Sequence, residues 1–327
     1  MKALVYEGVE TLGFRDMADP VANEGEHLIK VEAVGICGSD MHAYLGHDDR
    51  RPAPLILGHE AAGTVVEGPW VGRRVTINPL VSNPNSSYSK AGRENLCPER
   101  QIISMPPRQG AFAQYVAMPG HNLVEVPDNF PLAKAALAEP LAVSWHAAAL
   151  GLKALHPSME RRALVIGGGA IGLAAALALK AMGVDEVILS EPNEARRNFL
   201  EHTCGQKAVA RPEGRCPLVI DAVGFGVTRA AASAHVSPGG VIAHVGLGDS
   251  KEGFDIRFAT LQEVTLIGTY TYTAQDFRDT AQAMFDGRLG PLDWTEARPL
   301  SAGAQAFADL HAGRVAVPKI VLDPWNT

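Results

Sequence analysis

Two groups of residues in this 327-residue sequence have types and spacings that could perform chemistry. In the first group, Cys37 stands in the glycine-rich stretch VGICGSDMH, with Ser39 and His42 close behind it, and the stretch LGHEAAG then presents His59 and Glu60. A thiolate, an imidazole and a carboxylate supply the sulfur, nitrogen and oxygen donors that a catalytic zinc favours. The sequence therefore predicts a metal site that contains Cys37, His59 and Glu60.

A further carboxylate, Glu139, lies beside Pro140 in the stretch AEPLAVSWH. We expect Glu139 to face a cleft between two domains and to complete the metal site. Structural interpretations also exist for these residues, because a lone cysteine usually packs as a small hydrophobe and a glutamate at this place could cap a helix.

The second group is the stretch ALVIGGGAIG, in which Gly167, Gly169 and Gly172 have the G-x-G-x-x-G spacing. Between a strand and a helix, this spacing lets a pyrophosphate approach the backbone at the helix N-terminus. A second apolar run, Glu186–Ser190, precedes Glu191, about 20 residues beyond the glycines, where an acidic residue would hold a ribose diol. These features predict a dinucleotide site; the alternative is a structural turn beside a solvated Glu191.

The elements that must position these residues fall into two kinds. Up to about residue 126 the chain shows short β-type runs, and an alanine-rich helical stretch follows at Asn129–Leu150. From Ala163 to about Gly268, strand and helix patterns alternate, which predicts a doubly wound parallel sheet. The chain is also longer than a single core usually supports, so we expect two domains, with the tail strand KIVLD rejoining the first.

Composition narrows the classes of partner and compartment. The net charge of −7 and the absence of Lys/Arg runs argue against nucleic-acid and membrane partners. Four scattered cysteines show no disulfide framework, and the start of the chain does not resemble a signal peptide, so we expect a cytoplasmic protein. The longest apolar run, Ala163–Leu179, contains three consecutive glycines and suits a buried strand–helix unit better than a membrane span.

The motifs CGSDMH, GHEAAG, GAFAQY, AEPLAVSWH and VIGGGAIG occur in this order along the chain. In these residues the sequence resembles the zinc-dependent medium-chain alcohol and polyol dehydrogenases along nearly its whole length. It is most similar to the sorbitol and threonine dehydrogenase branch, because Glu139-Pro140 stands where liver-type enzymes have cysteine. The resemblance implies an α/β fold with a chaperonin-10-like β-rich catalytic domain, residues 1–141 and 269–327, and a Rossmann domain with a doubly wound parallel sheet, residues 142–268.

The resemblance also implies roles for individual residues. At the catalytic site, Cys37 and His59 would be zinc ligands. Glu60 and Glu139 would be glutamates that bind zinc or lie beside it in different states. Ser39 and His42 would form the relay that takes the alcohol proton to solvent. The implied NAD contacts are Gly167, Gly169, Ala170, Ile171, Gly172, Glu191 on the adenosine ribose, Arg196 beside the adenine, Val223 and Gly246. A bound zinc would lower the pKa of the substrate alcohol, so that its carbon can release hydride to the nicotinamide.

Two departures from the family pattern alter these expectations. Relatives bind a structural zinc through four cysteines, whereas the matching positions here are Asn83, Ser86, Ser89 and Cys97, so we expect one zinc per chain.

The second departure concerns the substrate. Thr271 replaces an arginine that helps to position the polyol in sorbitol dehydrogenases, although Tyr272 matches. Arg50 and Arg51 precede His59; we expect an exposed, solvated pair, the alternative being contact with an anionic or hydroxyl-rich substrate.

The leading functional hypothesis is therefore an oxidoreductase with zinc and NAD that acts on a secondary alcohol of a small polyol or sugar derivative. One alternative is a threonine-type amino alcohol dehydrogenase. Another is a zinc-free nicotinamide-binding reductase or a protein without catalytic activity. By analogy with relatives, we expect a homodimer or a homotetramer.

Overall fold

The computed structural model describes residues 1–326 as two compact units. Unit 1 comprises Met1–Glu139, Thr273–Asp286 and the described residues from Thr295 onward, and unit 2 comprises Pro140–Tyr272 and Gly287–Trp294. The sequence-based boundaries differ from this division by a few residues at each junction and by Gly287–Trp294, which they place in the catalytic domain. This short segment groups with unit 2 and contains the buried Leu289, Leu292 and Trp294.

The strands within the described chain are β1 (Lys2–Gly8), β2 (Thr11–Asp16), β3 (Glu26–Gly35), β4 (Leu55–Ile56), β5 (Glu60–Glu67), β6 (Arg74–Ile77), β7 (Leu80–Val81), β8 (Gln101–Ile102), β9 (Tyr115–Pro119), β10 (Leu123–Glu125), β11 (Arg162–Ile166), β12 (Glu186–Ser190), β13 (Lys207–Val209), β14 (Cys216–Asp221), β15 (Val236–His244), β16 (Thr265–Gly268), β17 (Thr295–Pro299) and β18 (Lys319–Asp323).

The α-helices are α1 (Gly38–Tyr44), α2 (Ser87–Lys90), α3 (Leu132–Ala135), α4 (Ala138–Ala154), α5 (Ala170–Ala181), α6 (Glu194–His202), α7 (Gly226–His235), α8 (Ile256–Leu261), α9 (Ala274–Phe285) and α10 (Gly303–His311), and short 3-10 turns occur at Glu94–Leu96, Gly120–Asn122 and Leu300–Ala302. The connector that we predicted as one helical stretch is thus divided into α3 and α4.

Unit 1 is the β-rich unit. Its largest sheet has the order β10-β6-β5-β3-β18-β17, with β9 also paired to β3, and a second sheet has the order β2-β1-β4. Apolar side chains of both sheets and of α10 form one core, which includes the fully buried Leu4, Ile29, Phe112 and Phe307. The last strand, β18, pairs antiparallel with β3, so the end of the chain lies in the same sheet as the residues that precede Cys37.

Unit 2 is a six-stranded sheet of the order β13-β12-β11-β14-β15-β16 in which every pair is parallel. The order reverses at β11, and in open parallel sheets of this kind ligands bind beyond the carboxyl ends of the strands at such a point. The predicted fold class is therefore confirmed. The apolar run Ala163–Leu179 contains most of β11 and α5, which is why it is apolar without spanning a membrane.

One helical stretch in the described chain, Leu132–Ala154, is long and apolar enough to cross a bilayer, but 78% of its most apolar window is buried inside the protein. A core helix has the same composition, so this stretch is weak evidence for a membrane segment.

Candidate catalytic metal centre and cofactor site

Pairing between β3 and β5 brings the predicted metal-binding residues together. Gly35, the last residue of β3, lies opposite Glu60, the first residue of β5, and Cys37 follows as the N-terminal cap of α1. One potential ligand atom from each of Cys37, His59 and Glu60 lies within 4.8 Å of the others. Residues that are more than 20 positions apart in sequence thus form one cluster, as a metal site requires.

The Glu60 carboxylate fits a bound cation. Its side chain is fully buried, and Oε2 has no hydrogen-bond partner within residues 1–326. Buried carboxylate oxygens are normally paired, and an unpaired one invites an explanation such as an ion. The donor set and this oxygen together fit zinc.

The orientation of His59 is set by contacts to both ring nitrogens. Asp40 Oδ1 and Ser104 Oγ each lie 3.4 Å from Nδ1, while Ser39 Oγ lies 3.4 Å from Nε2. Asp40 is itself fully buried and accepts hydrogen bonds from the backbone N–H groups of Cys37 and Gly58. A carboxylate on one nitrogen of a histidine is the arrangement that prepares the other nitrogen for a metal.

Sequence reasoning did not assign Asp40 or Ser104 a role in the site. Asp40 lies inside the stretch CGSDMH, and a carboxylate three residues after a candidate thiolate ligand is the signal that could have identified it. Ser104 carries no such local signal, since only the folded chain brings it to His59.

The charges around His59 create a negative potential. Burial by itself lowers the pKa of this imidazole, but Asp40 and Cys37 outweigh burial and raise the pKa well above its ordinary value. Burial likewise opposes ionisation of Asp40, yet His59 and Arg51 keep the pKa of that carboxyl below its usual range. A buried histidine with a raised pKa marks a place where a cation is stabilised.

Lys319, at the start of β18, supplies a positive charge. Its buried ammonium donates hydrogen bonds to Glu60 Oε1 at 2.6 Å and to the Ile36 carbonyl at 2.9 Å. Burial opposes the charged form, but Glu60 and Cys37 raise the pKa of Lys319 above its ordinary value, so the lysine is protonated. The only sequence signal for Lys319 is a charged residue at the start of an apolar strand, and we did not single it out.

Glu139 and His42 stand apart from this cluster. Glu139 is buried in the first turn of α4, and its charge contributes to the raised pKa of Lys319, but it is not part of the three-residue group. His42 lies in the last turn of α1, with its ring centroid 6.4 Å from that of His47. Their assignments as a metal-site carboxylate and as a proton relay stay predictions.

The expectation of an exposed arginine pair is wrong for Arg51. The Arg50 side chain is 58% exposed, whereas the Arg51 side chain is 2% exposed. The two share Asp48 as an ionic partner. Arg51 is buried because carbonyl oxygens and a carboxylate satisfy its donors, which residue type alone does not show.

In unit 2, the glycine-rich turn joins β11 to α5. Gly167 has a φ of +101°, which favours glycine, and a Cβ at Gly172 would lie 1.8 Å from the Gly167 carbonyl oxygen. Gly169, in contrast, has open space where a side chain would begin. Two glycines are therefore required by the turn itself, and the third leaves room for a ligand, as the prediction for a pyrophosphate requires.

Glu191 follows β12 at the carboxyl end of the sheet and is 4% exposed. Its Oε2 accepts from the Gly168 N–H at 2.9 Å and lies 3.4 Å from Arg196 Nη1, while Oε1 accepts from the Asn193 N–H at 2.8 Å. The chain thus fixes a carboxylate, with an arginine beside it, next to the glycine-rich turn.

The other predicted cofactor residues lie at the same edge. Ala170 and Ile171 begin α5, and Ser144 Oγ donates to the Ile171 carbonyl at 2.8 Å. Val223 and Gly246 follow β14 and β15, and their backbone N–H groups donate to Asp221 Oδ1 and to the Asp221 carbonyl, respectively. The structure therefore gathers the cofactor candidates of unit 2 beyond the strand ends.

Comparisons with known proteins agree with this geometry. Residues 23–128 match the family described as Alcohol dehydrogenase GroES-like domain, and residues 170–286 match Zinc-binding dehydrogenase. A probable diacetyl reductase [(R)-acetoin forming] 2 of Saccharomyces cerevisiae is 30% identical, with 100% of this chain and 91% of the relative covered. This chain belongs to the zinc-dependent medium-chain alcohol and polyol dehydrogenases.

Two further proteins are similar to this medium-chain dehydrogenase, one in sequence and one in structure. Sorbitol dehydrogenase of Bacillus subtilis is 32% identical, with 83% of this chain and 82% of that protein covered. The solved structure of an alcohol dehydrogenase from Escherichia coli CFT073 in complex with NADH has a TM-score of 0.88 at 24% identity and covers 99% of both chains. At that identity, the structural likeness supports the fold alone.

The lobe from Asn83 to Cys97, where the resemblance implies a structural zinc in relatives, is held together by hydrogen bonds in this dehydrogenase. Ser86 Oγ donates to Ser89 Oγ at 2.9 Å, and Ser89 Oγ donates to the Asn83 carbonyl at 2.7 Å. Cys97 is buried, and its interaction with Ser86 lowers the pKa of its thiol. Within residues 1–326, Cys37, His59 and Glu60 form a group that could hold a metal ion, and no such group lies in this lobe.

The residues expected near the substrate of this dehydrogenase are also placed. Thr271 has a φ of +48°, and its buried Oγ1 has no hydrogen-bond partner in the described part of the chain. Tyr272, which matches the family, is 1% exposed.

Replacement of Lys319 by methionine tests the buried ion pair. Lys319→Met leaves the Glu60 carboxylate buried without a counter-charge, so the free energy of unfolding of the metal-depleted protein should fall by about 3 to 5 kcal/mol. Urea denaturation measures this loss. The double variant Lys319→Met/Glu60→Gln removes the stranded charge and should recover part of the loss; equal stability of the single and double variants would contradict the pairing.

Proposed function

We propose that this dehydrogenase oxidises the secondary alcohol of a small polyol or sugar derivative and transfers the hydride to NAD. The cluster of Cys37, His59 and Glu60 in unit 1 carries the proposal, because a thiolate, an imidazole and a buried carboxylate with one unpaired oxygen suit a catalytic zinc. The names of its relatives, sorbitol dehydrogenase and a probable diacetyl reductase, support a substrate with oxygen atoms on neighbouring carbons.

The residues of the chain then have separate tasks. Cys37 and His59 would hold the metal, and Asp40 keeps the His59 ring in the required orientation. A bound zinc supplies a Lewis acid that lowers the pKa of the alcohol, and a bound nicotinamide accepts the hydride. Ser39, next to His59, would take the alcohol proton and pass it toward His42 and solvent.

The balance of charge supports Glu139 as the further carboxylate of the site. Glu60 and Lys319 form an ion pair and offset each other. Cys37 as a thiolate and Glu139 would then together neutralise the two positive charges of zinc. We therefore propose that Glu139 acts in the catalytic site.

The alternative of a zinc-free nicotinamide-binding protein is less well supported. Such a protein needs the glycine-rich turn but has no use for a partly buried thiol, a buried imidazole and a buried carboxylate within 4.8 Å of one another. A threonine-type activity differs only in substrate, and a panel of alcohols separates it from the leading proposal.

We also propose that the protein is a cytoplasmic homodimer or homotetramer. Each of the four cysteines is a free thiol, which suits a reducing compartment. Strand β16 is an edge of the unit 2 sheet, and Leu261 and Leu266 near it are 62% and 47% exposed. An exposed apolar edge is a surface that another chain can cover.

One zinc per chain is the expected metal content, because the lobe around Cys97 has hydroxyl groups in place of thiolates. Elemental analysis of protein purified without added metal measures the ratio. Cys97→Ser should keep about one zinc, whereas His59→Ala should lose it. A ratio close to two in the unaltered protein would contradict the proposal.

Preference for NAD over NADP should depend on Glu191. Its carboxylate can accept hydrogen bonds from the ribose diol and repels a 2′-phosphate at the same place. Glu191→Ser should lower the ratio of kcat/KM with NAD to kcat/KM with NADP by about tenfold or more. Glu194→Ser, at an exposed residue, should leave this ratio unchanged. Comparable efficiencies with both cofactors in the unaltered enzyme would overturn the assignment.

A panel of secondary alcohols, polyols and amino alcohols with NAD tests the function, and Glu139→Gln tests the site. This variant keeps the size of the side chain but removes its charge, so turnover of the best alcohol should fall about a hundredfold while the melting temperature changes little. Glu125→Gln, at a 60% exposed side chain of the same unit, is the control. If Glu139→Gln melts earlier yet turns over at nearly the original rate, Glu139 has a structural role only.

A further inference from the structure

A buried arginine joins the two serines that flank His59. Arg51 Nε donates to the Ser104 carbonyl at 3.0 Å, and Nη1 donates to the Ser39 carbonyl at 3.1 Å. Nη1 also donates to Asp48 Oδ2 at 2.7 Å, and Nη2 lies 3.5 Å from Ser39 Oγ. The guanidinium therefore connects the start of α1 with the loop that contains Ser104.

The two serines lie on opposite sides of one imidazole. Ser39 Oγ is 3.4 Å from Nε2 of His59, and Ser104 Oγ is 3.4 Å from Nδ1. Ser104 also has a φ of +72°, a backbone conformation that a serine keeps only when its surroundings hold it there. The hydrogen bond from Arg51 to the Ser104 carbonyl provides such a hold.

A guanidinium suits this task better than an ammonium. Its planar group presents donors in fixed directions, so one side chain can hold two carbonyl groups at a constant separation. Asp48 balances its charge, and the 2% exposure of the side chain keeps water from competing for these donors.

We propose that Arg51 is a positioning residue, which holds Ser104 beside Nδ1 of His59 and holds Ser39 beside the site where Nε2 would bind the metal. The part of the proposal that concerns turnover rests on the proposed function, because Ser39 is there the acceptor of the alcohol proton. The part that concerns His59 is independent of the substrate.

Arg51→Met tests the proposal in the full-length, zinc-loaded protein. A small displacement of reacting groups reduces rates steeply, so kcat for the best alcohol should fall about a hundredfold while KM changes less than about threefold and the zinc content stays near that of the unaltered protein. In cobalt-substituted protein, the visible absorption spectrum should change because His59 loses its fixed orientation. Arg50→Met, at the exposed neighbour that shares Asp48, is the matched control and should change neither kcat nor the spectrum.

A second background separates positioning from general stabilisation. In protein that already carries Ser39→Ala and Ser104→Ala, Arg51→Met should reduce kcat by less than about threefold, because the groups that it positions are gone. The same hundredfold loss in both backgrounds, or equal effects of Arg51→Met and Arg50→Met, would overturn the proposal.

Two further outcomes are also decisive. If Arg51→Met does not fold, Arg51→Lys keeps the charge but cannot bridge both carbonyl groups, and it should reduce kcat about tenfold; an unchanged kcat would refute the positioning role. If the unaltered protein oxidises no alcohol of the panel, the proposed function fails. The cobalt spectrum then tests the role of Arg51 by itself. A spectral change on Arg51→Met that occurs only in protein with Ser39 and Ser104 intact supports the role, and no spectral change overturns it.

Discussion

Compensation of buried charge around His59 is the constraint on which the rest of unit 1 depends. Asp40 and Glu60 place negative charge in a region closed to water, beside the thiol of Cys37, and an uncompensated charge there is very costly. The buried Lys319 compensates the charge of Glu60, whereas the charge of the buried Arg51 is balanced by Asp48. What remains is a deficit of positive charge at the point where three ligand atoms converge, and a divalent cation fills such a deficit.

This compensation explains the topology of unit 1. Lys319 reaches the Ile36 carbonyl from 283 positions away in the chain, so the site is incomplete until β18 has joined β3. Between these two strands the chain also has to form unit 2. The metal centre therefore depends on a long-range contact, because correct pairing of β18 with β3 supplies the counter-charge to Glu60.

The sequence predicted those features whose signals are local. The turn at Gly167 and the alternation of strands and helices in unit 2 lie within short windows, and the fold class is confirmed. Strand β13 has three residues, which is too short to show the alternation of apolar and polar residues of a strand, so it was not predicted. The environment of His59 was predicted only in part, since Ser104 and Lys319 reach it through strand register and long-range contacts. The error at Arg51 has the same origin, because burial of an arginine depends on carbonyl groups that no residue type reveals.

The hydrogen bonds in the lobe around Cys97 change how this part of the protein responds to metal supply and to oxidants. A cluster of zinc-bound thiolates ties the shape of such a lobe to the supply of metal and to the redox state of the cell, since oxidants and chelators both attack it. Hydroxyl groups have neither sensitivity, and the remaining sulfur, Cys97, is buried. In a cell short of zinc or under oxidative stress, this lobe would keep its shape, and a shortage of zinc would act on the chain at the centre that contains Cys37.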